Sequence, residues 1–448
     1  MSSGGGPWTP NLLQPIHWTH APIVGDLGRL TLSGLNVEAI ADEAGGAYSI
    51  SKISDPRRPL LVNSDVLDGH TSIEFDRTND SALRSTTGGV TGNAVHSMLL
   101  FCQWTAAANT TGLQAEGLMQ FGPAGGYLSS NIGQYYETGV PGSSRLWGGG
   151  SGVAGPFGTA AISPSDTNYH LREKYYDGTK GYLLQDGVLA GPFGFAEFAT
   201  AGYGIGDTAP TPAEFGYQKI VAGYPIPSTR LQDGLFFDRV ISGSERLNFY
   251  RWLASEYPSI FTFGESLLFV GDSIAAGAGV LAADRYSKLV STALGMTERN
   301  TAIGGQTTTD IQTHITASLL QSGIAQPKAF IYEGGINDLA ASVSAATIFA
   351  RDLQIFATVR AMYPTIKICS VTCTPDNGFD APKNAQKLAL NNLRLGGTNT
   401  ADCVADLNTT SLGTWNGTDY YDGVHYYEVG HAKAATVIQT ALASVGIT

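Results

Sequence analysis

The 448-residue sequence predicts two domains of different class, an all-β sandwich over residues 1–262 followed by an α/β doubly wound sheet. Three observations predict it. Hydrophobic periodicity changes near residue 262 from short runs between glycine-rich turns to a repeated strand, loop and helix pattern. Glycine contributes 56 residues and charged residues only 14%, against about 7% and about 25% in ordinary domains, so turns are abundant and the surface is wetted by hydroxyls and amides. At roughly 150 residues per domain the length allows two or three domains.

In the first region, strands are predicted at Leu30 to Leu35, Ser72 to Asp76, His96 to Trp104, Gly117 to Phe121, Tyr169 to Tyr176, Gly181 to Gln185, Lys219 to Gly223 and Leu231 to Phe237. Asp177-Gly178 and Asp186-Gly187 bracket one of them with tight-hairpin chemistry, which implies antiparallel meanders. A single helix closes the region. It begins with Ser244 as a capping serine, spaces Leu247, Tyr250 and Leu253 along one face, and stops before Pro258.

In the second region, Leu267 to Val270, Thr301 to Ile303, Ala329 to Tyr332, Ile366 to Val371 and Cys403 to Leu407 read as strands. Helices lie between them: Ile311, Ile315 and Leu319 recur at helical spacing, and Phe349, Leu353, Phe356 and Val359 line a longer helix from Ser344 to just before Pro364. A last helix carries Ala432, Ala435 and Ile438. Strands alternating with helices imply a parallel sheet, whose ligands bind at the carboxyl ends of its strands.

The net charge of −12 divides into −8 (15 basic, 23 acidic) for residues 1–262 and −4 (11 basic, 15 acidic) for the rest. Neither half has the basic balance of a nucleic-acid binder. Cys102, Cys369, Cys373 and Cys403 are too few for a disulfide scaffold and lack metal-binding spacing, so they read as small buried hydrophobes. Cys373 and Cys403 fall near neighbouring predicted strands and could pair, which leaves the redox compartment open. No basic leader with an apolar stretch opens the sequence, and no apolar run approaches 18 residues, so neither a signal peptide nor a membrane span is expected.

Chemistry is concentrated in four loops. The first strand runs directly into Gly271-Asp272-Ser273, a sharp strand-to-helix turn that exposes the serine Oγ and places its N–H at a helix start. A helix-capping serine is the plain alternative. The loops Asn300 to Thr308 and Glu333 to Asp338 supply paired glycines and an asparagine amide, the parts of an oxyanion hole, or simply tight turns. Near the C-terminus, Asp422-Gly423-Val424-His425 lets one turn of chain bring a carboxylate to the imidazole Nδ1–H. His431, on the last helix, reads as a surface or supporting residue, and His314 as solvated.

Taken together and in this order, these segments resemble the SGNH, or GDSL-type, hydrolase family over residues 264–448. Gly271-Asp272-Ser273 matches the nucleophile block, Gly305 the glycine of the second block, Gly335-Ile336-Asn337-Asp338 the third and Asp422 to His425 the fourth. Ile274 and Ala302 depart from residues common in the family, leucine and glycine, without touching a reacting atom. The resemblance implies a flavodoxin-like fold and ester hydrolysis with Ser273 as nucleophile, His425 as base then acid, and Asp422 orienting His425. The oxyanion would be held by the N–H groups of Ser273 and Gly305 and the side chain of Asn337, with Gly271, Asp272, Gly335 and Asp338 in support. No metal is required.

Residues 7–262 resemble a laminin-G-like, concanavalin-A-type jelly roll, through Pro7 to Pro10 with His17-Trp18, Ile73 to Asp80, the Gly181 to Gly187 hairpin and Leu235 to Arg246. This implies a leader over 1–22 partly packed on the jelly roll, the jelly roll over 23–262, and the hydrolase domain over 263–448. The fold class can bind calcium, although no ligand set assembles from the sequence. The glycine-rich segments around Tyr127 and Trp147 are the candidates for sugar stacking, and packing of these aromatics beneath the loops is the reading favoured for either residue alone.

The combined expectation is a carbohydrate O-deacetylase acting on a cell-surface polysaccharide. The rivals are a lipolytic or aryl esterase and a non-catalytic glycan-binding recognition protein. The pairing of domains is also reminiscent of phage-like virion appendages, often trimers, which would place the chain on an extracellular particle after cytoplasmic synthesis.

Overall fold

The computed structural model describes residues 229–448 continuously and, of the first 228, a short 3-10 helix, Pro10–Leu13, and the strands with a few adjoining residues. The chain forms two compact units, Met1–Thr262 and Phe263–Thr448.

The first unit is antiparallel. Thr229–Phe237 pairs with His96–Trp104 and with His17–His20, so part of the 1–22 segment is an integral strand. His96–Trp104 pairs in turn with Tyr169–Tyr176, and that strand with Lys180–Gln185. The Asp186-Gly187 turn joins Gln185 to Val188 with φ of 52° and 73°, the two positive values a tight type I′ hairpin demands. Leu99, Leu100 and Phe101 are all at most 1% exposed, so both faces of this strand are covered, and a helix, Gly243–Glu256, packs against the neighbouring strand. Its Arg246 meets the buried carboxylate of Glu173 at 3.0 Å and its Tyr250 hydroxyl donates to the same group.

One sequence expectation is corrected in this unit. The helix cap is Ser242, not Ser244: the Ser242 hydroxyl accepts from the Glu245 amide while the Glu245 carboxylate accepts from the Ser242 amide. Only Ser242 has a glutamate three residues ahead to close this reciprocal box. Ala213–Lys219 forms a strand, and residues 220–223 of the strand expected at Lys219 to Gly223 lie outside the described residues. Trp147 ends a short strand, Arg145–Trp147, and Tyr127 lies outside the described residues.

The second unit is labelled by order within it. Its elements are β1 (Gly264–Gly271), α1 (Ser273–Ala276), α2 (Tyr286–Ala293), β2 (Thr297–Asn300), α3 (Thr308–Leu320) and β3 (Ala325–Glu333). There follow α4 (Ile336–Ala340), α5 (Ala345–Met362), β4 (Lys367–Val371), α6 (Ala381–Leu395), β5 (Cys403–Ala405) and α7 (Glu428–Ala443). The sheet order is β2-β1-β3-β4-β5 with every pairing parallel, the order of a flavodoxin-like doubly wound fold. Leu267, Leu268, Phe269, Ala329, Phe330 and Ile331 are at most 1% exposed, as expected where helices cover both faces of a parallel sheet.

The second strand is Thr297–Asn300 rather than Thr301 to Ile303. It is a polar edge strand without the apolar signal that marks the others. Thr301 and Ile303 still donate to Phe269 and Gly271, continuing the ladder as loop. The fifth strand is shorter than expected, ending at Ala405. On α7 the buried stripe runs through His431, Ala434, Ala435 and Ile438, whereas Ala432 is exposed. All four cysteines are free, and Cys403 stands in register with Cys369 rather than beside Cys373.

Candidate active site

The three loops after β1, β2 and β3 and the chain before α7 meet at the carboxyl edge of the sheet. Gly271 ends β1 opposite Glu333, and a Cβ there would lie 2.0 Å from the Glu333 carbonyl oxygen. Only glycine permits so close an approach, so the strand turns abruptly into α1 with Ser273 as its first residue. Asp272 caps that turn by accepting from the Ile274 amide at 3.0 Å.

The partners of Ser273 come from one short hairpin. Tyr420 and Tyr426 form an antiparallel bridge and the Tyr421 amide donates to the His425 carbonyl. Inside this loop, Asp422 Oδ1 accepts from the Val424 and His425 amides, each at 2.7 Å. Its other oxygen, Oδ2, lies 2.7 Å from His425 Nδ1, and His425 Nε2 lies 2.8 Å from Ser273 Oγ. Burial pushes the Asp422 carboxyl up, but the His425 ring and the two amides outweigh it and hold the group below its ordinary range. The carboxylate therefore fixes the imidazole proton on Nδ1 and leaves Nε2 free to take the serine proton.

The remaining loops supply neutral donors. Gly304 lies against Ser273, a Cβ there being 3.7 Å from the Ser273 Cβ. Gly305 adopts φ of 79°, a left-handed turn natural to glycine. Gly335 caps α4 with φ of 104°, and the first turn of that helix carries Asn337, whose Nδ2 donates to the Gln306 carbonyl at 2.9 Å. This bond ties the second loop to the third. Asp338 points away from the reacting atoms: it accepts from the Thr308 amide and hydroxyl and pairs with Arg351 at 2.8 Å.

Several supporting residues carry no local sequence signal. Arg394, fully buried on α6, donates to Asp352 on α5 at 2.9 Å and to the Val371 and Gly334 carbonyls, bracing the third loop from beneath. Asn300 donates to the Ala275 carbonyl and accepts from the Ala302 amide, fastening the second loop to α1. Tyr421 stacks on His425 with ring centroids 5.6 Å apart, and Gly279 leaves room for that ring, since a Cβ there would come within 2.2 Å of it. His431 is buried, and burial pushes its imidazole down to about 4, the nearby His425 adding to the effect. His314 is exposed. Among the described residues there is no cluster of three or more His, Cys, Asp or Glu that could hold a metal, and no helix is long and apolar enough to cross a membrane.

Residues 269–433 match the model of the GDSL-like Lipase/Acylhydrolase family. No curated protein matches the chain. Among solved structures, TesA is 18% identical with a TM-score of 0.35, the alignment covering 40% of this chain and 99% of that one. The esterase EstA from Pseudoalteromonas sp. is 13% identical with a TM-score of 0.34, covering 40% and 97%. A carbohydrate esterase family 3 structure from Talaromyces cellulolyticus is 17% identical with a TM-score of 0.32, covering 41% and 98%.

Proposed function

We propose that the C-terminal unit, which matches the GDSL-like Lipase/Acylhydrolase family model over residues 269–433, is an ester hydrolase that removes O-acetyl groups from a polysaccharide. Ser273 Oγ attacks the ester carbonyl as His425 Nε2 takes its proton. The tetrahedral oxyanion is received by the N–H groups of Ser273 and Gly305 and the amide of Asn337. Collapse expels the sugar alkoxide, which leaves with the proton from His425. Water then attacks the acetyl-serine, gives a proton to His425, and acetate leaves as Ser273 is reprotonated.

The observation that carries the sugar substrate is an aromatic rim beside the triad. Trp415, Tyr421 and Tyr427 are 39%, 38% and 42% exposed. The Trp415 indole N–H donates to the Asp422 carbonyl, and Tyr421 and Tyr427 meet edge to face at 5.8 Å. Such rings offer sugar-stacking faces within one loop of the base. A second reading, hydrolysis of lipid or aryl esters, is favoured by Leu281 and Ile303, which are 73% and 53% exposed. The antiparallel N-terminal unit then serves, as a jelly roll, in glycan binding or in mounting the enzyme on a particle.

Acetate release from O-acetylated glycans tests this assignment. Release by the native protein and none above background by Ser273→Ala is expected; equal release by both overturns it. Tyr427→Ala is expected to raise KM for the polymer about tenfold, a loss of about 1.4 kcal/mol, with a much smaller change on p-nitrophenyl acetate. Equal effects on both substrates would favour the lipid or aryl reading.

A further inference from the structure

Behind the nucleophile lie two carboxyl groups that the hydrolytic steps do not use. Asp272 is fully buried and Glu333 is 2% exposed. Glu333 ends β3 as the register partner of Gly271, and Asp272 follows Gly271 directly at the end of β1. Consecutive amides at the start of α1 cap them, Ile274 donating to Asp272 and Ala275 to Glu333. Each then keeps one buried oxygen, Asp272 Oδ2 and Glu333 Oε2, with no hydrogen-bond partner.

Among the described residues, no Lys or Arg is hydrogen-bonded to either group. Arg394 acts on both electrostatically, but its hydrogen bonds go to Asp352, the Val371 and Gly334 carbonyls and the Cys373 sulfur. The other groups facing the pair are Asp338, His425, the Cys373 thiol, and the hydroxyls of Tyr286 and Tyr426. Two carboxylates in a low-dielectric site without a dedicated counter-ion do not both ionise.

We propose that Asp272 and Glu333 hold a single proton between them, one group as the acid and the other as the carboxylate. The pair then carries one negative charge, not two, behind the Ser273 turn. Two ionised carboxylates offer only acceptors to these oxygens, so a proton held on one group supplies the donor that both lack. Burial pushes Asp272 up to about 7 against the pull of the Ile274 amide, His425 and Arg394, and burial together with the Asp272 charge pushes Glu333 well above its ordinary range. Both are positioning residues. They hold α1 by its first amides, and the single charge attracts the imidazolium that forms on His425. A second charge would oppose the oxyanion forming at Ser273.

Infrared spectroscopy of the full chain tests this without reference to its substrate. At pH 7 the protonated-carboxyl carbonyl band is expected in the folded protein, shifted in D2O, and shifted further when glutamate or aspartate is labelled with ¹³C at the side-chain carboxyl. Glu333→Gln is expected to remove the band and to flatten the fall of kcat/KM on the alkaline side. Absence of the band in wild type at pH 7, or its survival unchanged in Glu333→Gln, overturns the proposal. The wild-type labelling result decides the matter even if the variant fails to fold. If the band behaves as expected while Ser273→Ala leaves ester turnover intact, the hydrolase reading fails and the shared proton stands.

Discussion

Replacing Asp422 by asparagine should cripple the enzyme more than replacing it by alanine, although asparagine is the closer mimic. Asp422 Oδ1 accepts from two backbone amides at 2.7 Å, and in Asp422→Asn only the amide oxygen can fill that role. The asparagine NH2 is then turned toward His425 Nδ1, which must accept, so the imidazole proton moves to Nε2 and faces Ser273 Oγ as a donor. The base is lost. The Asp422 side chain is 40% exposed, so water screens its charge and the lost Coulomb attraction amounts to about 1 kcal/mol or less. The wrong tautomer carries the larger part. A fall in kcat of about 10³- to 10⁴-fold is expected, or about 4 to 5.5 kcal/mol in the barrier. In Asp422→Ala a water can accept from Nδ1–H, the productive tautomer stays accessible, and kcat should exceed that of the asparagine variant. The assay is kcat on p-nitrophenyl acetate, with thermal unfolding to confirm the fold and imidazole ¹⁵N shifts to read the tautomer. An asparagine variant within tenfold of wild type, or more active than the alanine variant, would refute this account.

Asn337→Ala should lower kcat about 10²- to 10³-fold with little change in KM, because one preorganised oxyanion donor is lost; steady-state kinetics on p-nitrophenyl acetate measures it. Gly279→Ala forces a Cβ within 2.2 Å of the Tyr421 ring at a φ of +88° and should displace the ring from His425. In a double-mutant cycle it should cost kcat less when Tyr421 is already alanine. Arg394→Met strands the Asp352 carboxylate in the core and should destabilise the C-terminal unit by about 3–5 kcal/mol, read from urea unfolding. The Asp422 carboxylate contribution to folding is present above its ordinary pKa of 3.8 and is lost as pH falls through its lower folded value. Acid unfolding of wild type and Asp422→Ala should therefore converge below pH 4.

What the sequence made legible was whatever fits inside one short stretch of chain. The triad turn needs Asp422 and His425 three residues apart, the nucleophile turn needs Gly271 directly before Asp272 and Ser273, and each is visible as a string. The strands β1 and β3 announced themselves because both faces are covered along Leu267 to Val270 and Ala329 to Tyr332, which are continuously apolar. The polar edge strand Thr297–Asn300 did not, since hydrogen bonding to β1 holds it in place rather than burial. Nor did Arg394 and Asp352, separated by 42 residues: a lone arginine on a helix reads as surface until the partner across the core is known. The same holds for Gly279, whose neighbour Tyr421 comes from the far end of the unit.

The arrangement also explains how so few segments suffice. Orientation of the base is settled entirely within the hairpin from Tyr420 to Tyr426, where the carboxylate, the imidazole and the amides that align them belong to seven consecutive residues. Orientation of the nucleophile is settled within the turn from Gly271 to Ile274. A single hydrogen bond of 2.8 Å, between residues 152 apart, joins the two. Catalytic geometry therefore depends on the relative placement of two locally rigid turns, and the groups that set it lie beneath them: Arg394 under the third loop, and the Asp272 and Glu333 carboxyls under α1. Substitutions in that buried layer should change kcat more than KM, because they move the nucleophile against its base while leaving the exposed aromatic rim intact.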